Sequence, residues 1–539
     1  MAGAAASRSG AASGSAAAGA TNPWLIAVVV SIATFMEVLD TTIANVALRY
    51  ISGGLAVSAD EASWVVTTYL VSNAIVLVAS SFIAKRYGRR SFYLACLATF
   101  TLSSVLCGLA WNLESLLIFR MIQGFAGGGM VPISQSILAD SFPPAKRGQA
   151  FALFGVAVVV APVVGPTLGG WLSDNLSWHW CFLINGPVGI LAFTLVYLLV
   201  KEPEGLKQER AEMKRRGVRF DIIGFLLVAT FLGALELVLD RGQTEDWFGS
   251  NFIIVSTAIC GLAFLLAIPW LLTAGNPVID VRLLASRQFG SCFIVMMATG
   301  AILIATTQFV PQVLQENFGY TATWAGLALS PGGLVTMVMM FVAGRITGII
   351  QPKYLIAIGC AIIAAAMWDL TRLNADLNFG FFAWSRMILG LGLPLIFIPI
   401  TSASYDGLRP DQTDQASALI NAARNTGGSI GVSIASNVLA HREQWHQSRL
   451  VEHVIPSDPG YQQALQGWKA YFLQHGTGAA DAQAQAMAAI GRQVAEQASY
   501  LAYIDVFYTL SMISLAVIPL ALILRRVDPG RQGGGAPGH

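Results

Sequence analysis

Fourteen runs of mostly apolar residues follow one another from Trp24 to Leu524, at 24–48, 63–84, 91–111, 113–136, 149–171, 180–200, 221–240, 251–272, 289–310, 323–344, 354–372, 380–402, 415–440 and 501–524. A helix of about 20 such residues crosses a hydrocarbon layer of roughly 30 Å. Nothing else in the sequence limits the fold as strongly. Only 12 % of the residues are charged and mean hydropathy is +0.62, against about 25 % charged in soluble domains. A β-barrel would show short alternating segments instead of long apolar runs. The chain is therefore expected to be an all-α polytopic membrane protein.

Orientation follows from Lys and Arg, which favour the cytoplasmic side. The strongest basic segments, Lys85–Arg90 and Lys201–Arg219, fall on one face if both termini lie inside. Residues 1–22 form an Ala/Gly/Ser tail with no apolar core of its own, expected to be a disordered cytoplasmic tail. Trp24, Trp111, Trp171, Trp180, Trp247 and Trp324 mark span ends, as interfacial aromatics do. His441 to Ser499 is a long hydrophilic stretch on the outer face, with Ala479–Ser499 helical by propensity.

A faint internal repeat is present. Arg120 in Arg-x-x-Gln-Gly is echoed 266 residues later by Arg386, and the same offset takes Gly165 to Gly431. Arg86 and Arg345 each end an even-numbered span. This spacing suggests two six-helix bundles, 23–200 and 273–526, with a basic linker at 201–220, an inserted helix pair at 221–272 and a tail at 527–539. Parallel repeats of this kind place a binding site near the midplane between halves.

The first span carries the chemistry. Glu37, Thr41 and Asn45 recur every four residues and Asp40 lies three beyond Glu37, so all four are expected on one helix face. An ionised carboxylate at that depth costs at least about 3 kcal/mol on insertion scales. Such a stripe either glues helices together as a structural seam or forms a site that takes up and releases protons. Arg120 lies roughly 12 Å from the outer end of its own helix, within a turn or two of Asp40 in depth, so the two can pair. That pair is either fixed or broken on protonation. Gln123 lies one turn from Arg120, and Gly124, Gly127 and Gly128 let a neighbouring helix approach closely. Arg386, Asn421, Arg424 and Asn425 are polar groups of late spans that could line a cavity. In span five, Gly155, Pro162, Gly165, Pro166, Gly169 and Gly170 combine two mid-helix prolines with a groove of small residues, giving either close packing or a conformational bend. Glu236, on the inserted pair, reads as a near-interface acid that snorkels outward. Asp369 and Asp505 are further acids within spans.

Other classes find little support. The six cysteines lie singly in apolar runs, with no disulfide framework or metal spacing, and no cofactor is expected. A net charge of +2 gives no argument for nucleic acid. There is no Gly-x-x-x-x-Gly-Lys-Ser/Thr loop for ATP and no nucleophile–base pair for an enzyme.

Leu39-Asp-Thr-Thr-Ile-Ala-Asn-Val-Ala-Leu48, the Arg120 segment and Gly155–Gly170 together resemble the major facilitator superfamily, and within it the fourteen-span drug:proton antiporters of the EmrB/QacA type. Ser177–Pro187, Asp221–Gly224, Asn276–Asp280 and Gln497–Asp505 extend the resemblance from about Trp24 to Arg526. The long hydrophilic stretch before the last span looks more like EmrB. The resemblance implies export of amphipathic toxic compounds by proton exchange, with Asp40 and Arg120 in proton coupling and Glu37 as an added acid. It implies a Gram-negative inner-membrane location and two partners, a periplasmic membrane-fusion adaptor (EmrA-like) and an outer-membrane channel (TolC-like). The motif between spans two and three, here with Arg86, Gly88 and Arg89, departs from the family at two positions: Ser81 stands for Gly and Lys85 for the Asp held to latch one conformation. Arg49 and His179 also replace the usual Pro and Arg. Exporters of one metabolite, such as a siderophore or a fatty acid, share these motifs. A non-transporting sensor or scaffold would not need Asp40 and Arg120.

Overall fold

Asn22 opens the first helix. Its side chain accepts the Trp24 N–H at 3.0 Å and Pro23 occupies the first helical turn, where no N–H is missed. Comparable caps set the next starts: Ser58 and Glu61 form a reciprocal box, and Asn112 and Ser115 another. A computed structural model describes residues 22–202, 204–215, 220–406, 408 and 412–525. Residues 1–21 of the tail expected at 1–22, the tail expected at 527–539 and part of the 201–220 linker lie outside the described residues.

The described residues form eighteen α-helices: α1 (Pro23–Leu55), α2 (Ala59–Tyr87), α3 (Arg89–Cys107), α4 (Leu113–Ser141), α5 (Pro144–Asn175), α6 (Trp180–Leu183), α7 (Asn185–Leu199), α8 (Glu204–Arg215), α9 (Ile222–Arg241), α10 (Asn251–Thr273), α11 (Arg282–Ala285), α12 (Arg287–Glu316), α13 (Ala322–Ile346), α14 (Pro352–Leu370), α15 (Phe379–Ser404), α16 (Thr413–Val451), α17 (Pro459–Gln474) and α18 (Ala479–Leu522). Thirteen stretches are long and apolar enough to cross a membrane, with α6 and α7 acting as one. The remaining expected span is α16. It has ample length, but buried Asn421 and Arg424 and a run of Gly and Ser lower its apolar character. Its glycines are needed: a Cβ on Gly427, Gly428 or Gly431 would run into α12 at Met297, Ile304 or Ala301.

Two six-helix bundles emerge from the packing. In the first, α1 packs on α5, α2 on α4 and α3 on α7; in the second, α12 packs on α16, α13 on α15 and α14 on α18. The α1–α5 and α12–α16 contacts are repeat equivalents. Gly165 closes on Thr42 of α1 as Gly431 closes on Ala301 of α12. The inserted pair α9–α10 lies beside α2 and touches α16. α10 exposes Leu262, Phe264 and Leu265, as a lipid-facing helix does.

The stretch 441–499 is helical from Ala479 as expected, and its first part is helical as well: α16 runs on to Val451, α17 follows, and α18 begins at Ala479. Arg442 and His446 on the α16 extension bond Asp505 of α18 at 2.5 and 2.8 Å, tying the two extensions together.

Polar side chains join the halves at the end of the bundle that carries Pro23 and Arg525, here the base. Arg89 pairs with Asp414 at 2.8 Å and with Asp140. Ser417 donates to the Pro132 carbonyl at 2.7 Å, Asn421 to Gln135 at 2.7 Å, and the Phe151 and Tyr405 rings stack across the seam.

Candidate functional site

Asp40 and Arg120 meet inside the first bundle. Nη1 of Arg120 donates to Oδ2 of Asp40 at 2.6 Å, and neither side chain is reached by solvent. Two charges in a dry interior persist only when their remaining polar atoms are satisfied, and here most are. Gln123 Nε2 and Asn185 Nδ2 both donate to Oδ1 of Asp40, at 2.9 and 2.7 Å. Arg120 Nε donates to the Val65 carbonyl at 3.1 Å and Nη1 also to Gln123 Oε1 at 2.8 Å. The guanidinium lies over the Tyr69 ring at 4.3 Å and near the Phe182 ring at 5.4 Å, where the ring faces attract a cation. Helix spacing explains the arrangement. Arg120 and Gln123 stand one turn apart on α4, and α2 slides close along α4 because Gly124, Gly127 and Gly128 present no side chain to Tyr69, Ser72 and Asn73.

Glu37 is buried one turn from Asp40 with a separate set of partners. Tyr69 Oη donates to Oε1 at 3.1 Å and Asn73 Nδ2 to the same oxygen at 3.3 Å. Asn73 in turn accepts from Asn425 Nδ2 of the second half at 3.5 Å. Arg424, on α16 beside Asn425, is buried and lies within electrostatic reach of Glu37, and among the described residues its Nη1 has no hydrogen-bond partner. The two acids of α1 thus divide their surroundings. Asp40 is enclosed by its own half, whereas Glu37 looks across the seam.

The other sequence-derived residues distribute as follows. Thr41 is half-buried and its hydroxyl returns to the Glu37 carbonyl at 3.4 Å, while Asn45, one turn further from the base, is exposed. Gln123 is wholly engaged with Asp40 and Arg120. Asn421 sits at the basal seam on Gln135, away from Glu37. Arg386 is buried in the second half, where Nη1 reaches the Thr306 carbonyl at 3.5 Å, and among the described residues no acid pairs with it as Asp40 pairs with Arg120. Gly155, Pro162, Gly165, Pro166, Gly169 and Gly170 are all buried along α5. A Cβ on Gly155 would meet Met340 and Phe397, and one on Gly169 would meet Ile43. α5 runs unbroken through both prolines. At the base, Gly88 takes φ +97° to turn α2 into α3, a conformation that favours glycine, and this turn delivers Arg89 to Asp140 and Asp414; Arg86 is half-buried nearby. Glu236 departs from expectation. It does not snorkel but is 5 % exposed and accepts a hydrogen bond from Ser429 of α16 at 2.5 Å.

Asn185, Tyr69, Asn73 and Gln135 were not singled out by sequence reasoning. Tyr69 and Asn73 are four apart in an apolar span, a polar pair on one face that could have marked them. Asn185 lies within the quoted Ser177–Pro187 segment, but its aim at Asp40 depends on how α7 packs against α1.

Comparison with known proteins agrees with this fold. Residues 30–432 match the family model described as Major Facilitator Superfamily. The chain is 36 % identical over 520 residues to the multidrug export protein EmrB of Escherichia coli K12, covering 95 % of this chain and 97 % of that one. It is 35 % identical to the fatty acid resistance protein FarB of Neisseria gonorrhoeae over 523 residues, 97 % and 99 % of the two chains. Among solved structures, the human organic anion transporter MFSD10 superposes with a TM-score of 0.57 at 13 % identity, over 93 % of this chain and 99 % of that one. The proton:xylose symporter XylE gives 0.56 at 13 % identity, over 91 % and 94 %; both show the shared fold. With two six-helix bundles, an inserted pair and a buried Asp–Arg centre, this chain belongs to the major facilitator superfamily and is a multi-pass membrane transporter of small molecules.

Proposed function

We propose that the protein exports amphipathic toxic compounds in exchange for protons, by rocking one bundle against the other. The observation that carries this reading is the enclosed Asp40–Arg120 pair beside a second acid, Glu37, whose partners reach the other half. Protonation of Asp40 removes the charge that holds Arg120 and frees the guanidinium to seek Tyr69, Val65 and Gln123 alone. Glu37, Thr41 and Asn45 on α1, with Arg424 and Asn425 on α16, line the path that an amphipathic substrate takes. Gln123 positions Asp40 and Arg120; Arg386 and Asn421 complete the polar lining in the second half and at the seam. The small-residue and proline pattern of α5, from Gly155 to Gly170, lets α5 slide on α1 and α13, and Arg86, Gly88 and Arg89 form the basal latch. With Lys85 in place of the usual acid, Asp414 supplies the carboxylate that Arg89 grips.

In the same reading the base faces the cytoplasm, both termini lie there, and the protein sits in an inner membrane. The bundles span 23–200 and 273–526 around the inserted pair at 221–272, and the outer helical extension at 441–499 meets a membrane-fusion adaptor that leads to an outer-membrane channel. The relatives named for multidrug export support a broad substrate range. A relative named for fatty acid resistance supports the second reading, export of one amphipathic metabolite. Proteoliposomes with an imposed pH gradient separate the two. Ethidium and several unrelated lipophilic drugs should all be transported and should all stall when the gradient is collapsed. Movement of long-chain fatty acid alone, with every drug ignored, would contradict the multidrug reading.

A further inference from the structure

The inserted pair holds a buried acid that the Asp40 site does not use. α9 is fastened to the first half at its C-terminal end: Asp240 accepts from Thr67 of α2, and Arg241 donates to the Asp60 carbonyl and to Ser63 while lying 4.7 Å from the Trp64 ring. At its start Asp221 accepts the Val278 N–H at 3.3 Å, and its side-chain link to α16 is Glu236, through Ser429 at 2.5 Å. No ion pair to Glu236 is found among the described residues. Asp240 stands one turn away on α9 with Arg241 and Glu245 beyond it. α2 presents Thr67 and Asn73, and α16 presents Asn425, Ser429 and Arg424, whose charge is directed to Glu37. α10 presents Cys260, whose thiol lies at 3.7 Å from the Phe231 carbonyl.

Ser429 connects this acid to the central one. Its Oγ lies 2.5 Å from Glu236 and 3.3 Å from the Asn425 carbonyl; Asn425 reaches Asn73 at 3.5 Å, and Asn73 reaches Glu37 at 3.3 Å. A hydroxyl has one proton to donate. When Glu236 is ionised, Ser429 must donate to it, in a charge-assisted bond that ties α9 to α16. When Glu236 carries a proton it donates to Ser429 Oγ, and the serine proton turns to the Asn425 carbonyl. The stronger tie is then lost.

We propose that Glu236 is a further proton-exchanging carboxylate, set at the seam between the inserted pair and α16, and that its charge governs how firmly α9 holds the second half. The halves must part along this seam when they rock, so the bond from Ser429 to Glu236 is broken or remade in each cycle. The link to transport rests on the proton-exchange function proposed above; proton exchange at Glu236 itself does not.

The test is infrared difference spectroscopy of the full chain in lipid nanodiscs, titrated from about pH 5 to pH 9, the range in which buried carboxylates change state. A carbonyl band of a protonated carboxyl group should titrate in wild type, persist in Asp40→Asn and Glu37→Gln, and vanish in Glu236→Gln. Ser429→Ala should move its midpoint by about one pH unit, the size of shift a single charge-assisted bond produces. Glu236→Asp keeps an acid in place and should give a displaced band, showing that loss in Glu236→Gln is not loss of fold. Superimposable wild-type and Glu236→Gln spectra would overturn the assignment, as would a band indifferent to Ser429→Ala. If ethidium releases no protons from wild type and yet the Glu236 band titrates, the proton-exchange function falls and this assignment stands.

Discussion

Arg120 illustrates how a charge is made tolerable inside a membrane protein. Its guanidinium is paired with Asp40, bonded to a backbone carbonyl and a side-chain amide, and lies over an aromatic ring. Removing one partner of such a buried pair generally costs about 3–5 kcal/mol, because the other charge is left alone. Lysine keeps the charge but has neither the planar fork nor the ring stacking. Arg120→Lys should therefore reach the membrane and lower ethidium transport at least about tenfold, the effect of roughly 1.4 kcal/mol at the site; transport at wild-type rate would show that charge alone suffices. Asp40, Glu37 and Arg120 were legible in the sequence because an ionised group in an apolar span needs a reason to be there. Asn185 was harder to see. An amide in a span carries little penalty, and only the packed structure shows that it points at Asp40. Glu236 was misread for a related reason: nearness to a span end permits snorkelling, but the direction in which the side chain leaves its helix is set by what packs beside it.

Helices in this fold touch through missing side chains. Gly128 lets α4 reach the Asn73 backbone on α2, Gly165 lets α5 reach Thr42 on α1, and Gly427 lets α16 reach Met297 on α12. The Gly128 contact also sets the position of Asn73, which serves Glu37. Gly128→Leu should force α2 away from α4, lower thermal stability by about 1–3 kcal/mol as overpacking does, and reduce transport more than the loss of folded protein explains. Unchanged melting and transport would contradict the close approach. The small-residue runs, the repeat at 266 residues and thirteen of the spans could be read directly from the pattern. The helical start of α18 at Ala479 could be read from propensity, but the extension of α16 to Val451 and the helix α17 could not, because a Gln- and Ala-rich stretch satisfies both a helix and a hydrophilic loop. Pairing of Arg442 and His446 with Asp505, distant in sequence, holds those extensions together.

In the molecule as a whole, the two halves are closed at the base by Arg89–Asp414 and by Gln135 with Ser417 and Asn421, while Asn45 is exposed on the far side of Glu37. The Lys85 segment departs from the family pattern, and beside it Arg89 pairs with an acid from α16, a partner far away in sequence; the latch role of that pair belongs to the function proposed above. Asp40, enclosed by its own half, and Glu37, facing the other, are suited to sense a proton and a substrate in turn, each occupancy excluding the other. In the function proposed above, binding of a cation expels protons. This is read most directly by adding ethidium to weakly buffered, detergent-purified protein with a pH dye, in wild type, Asp40→Asn and Glu37→Gln. Wild type should release protons on binding, and the release should disappear in Asp40→Asn. Release of wild-type size from Asp40→Asn would contradict the role given to Asp40.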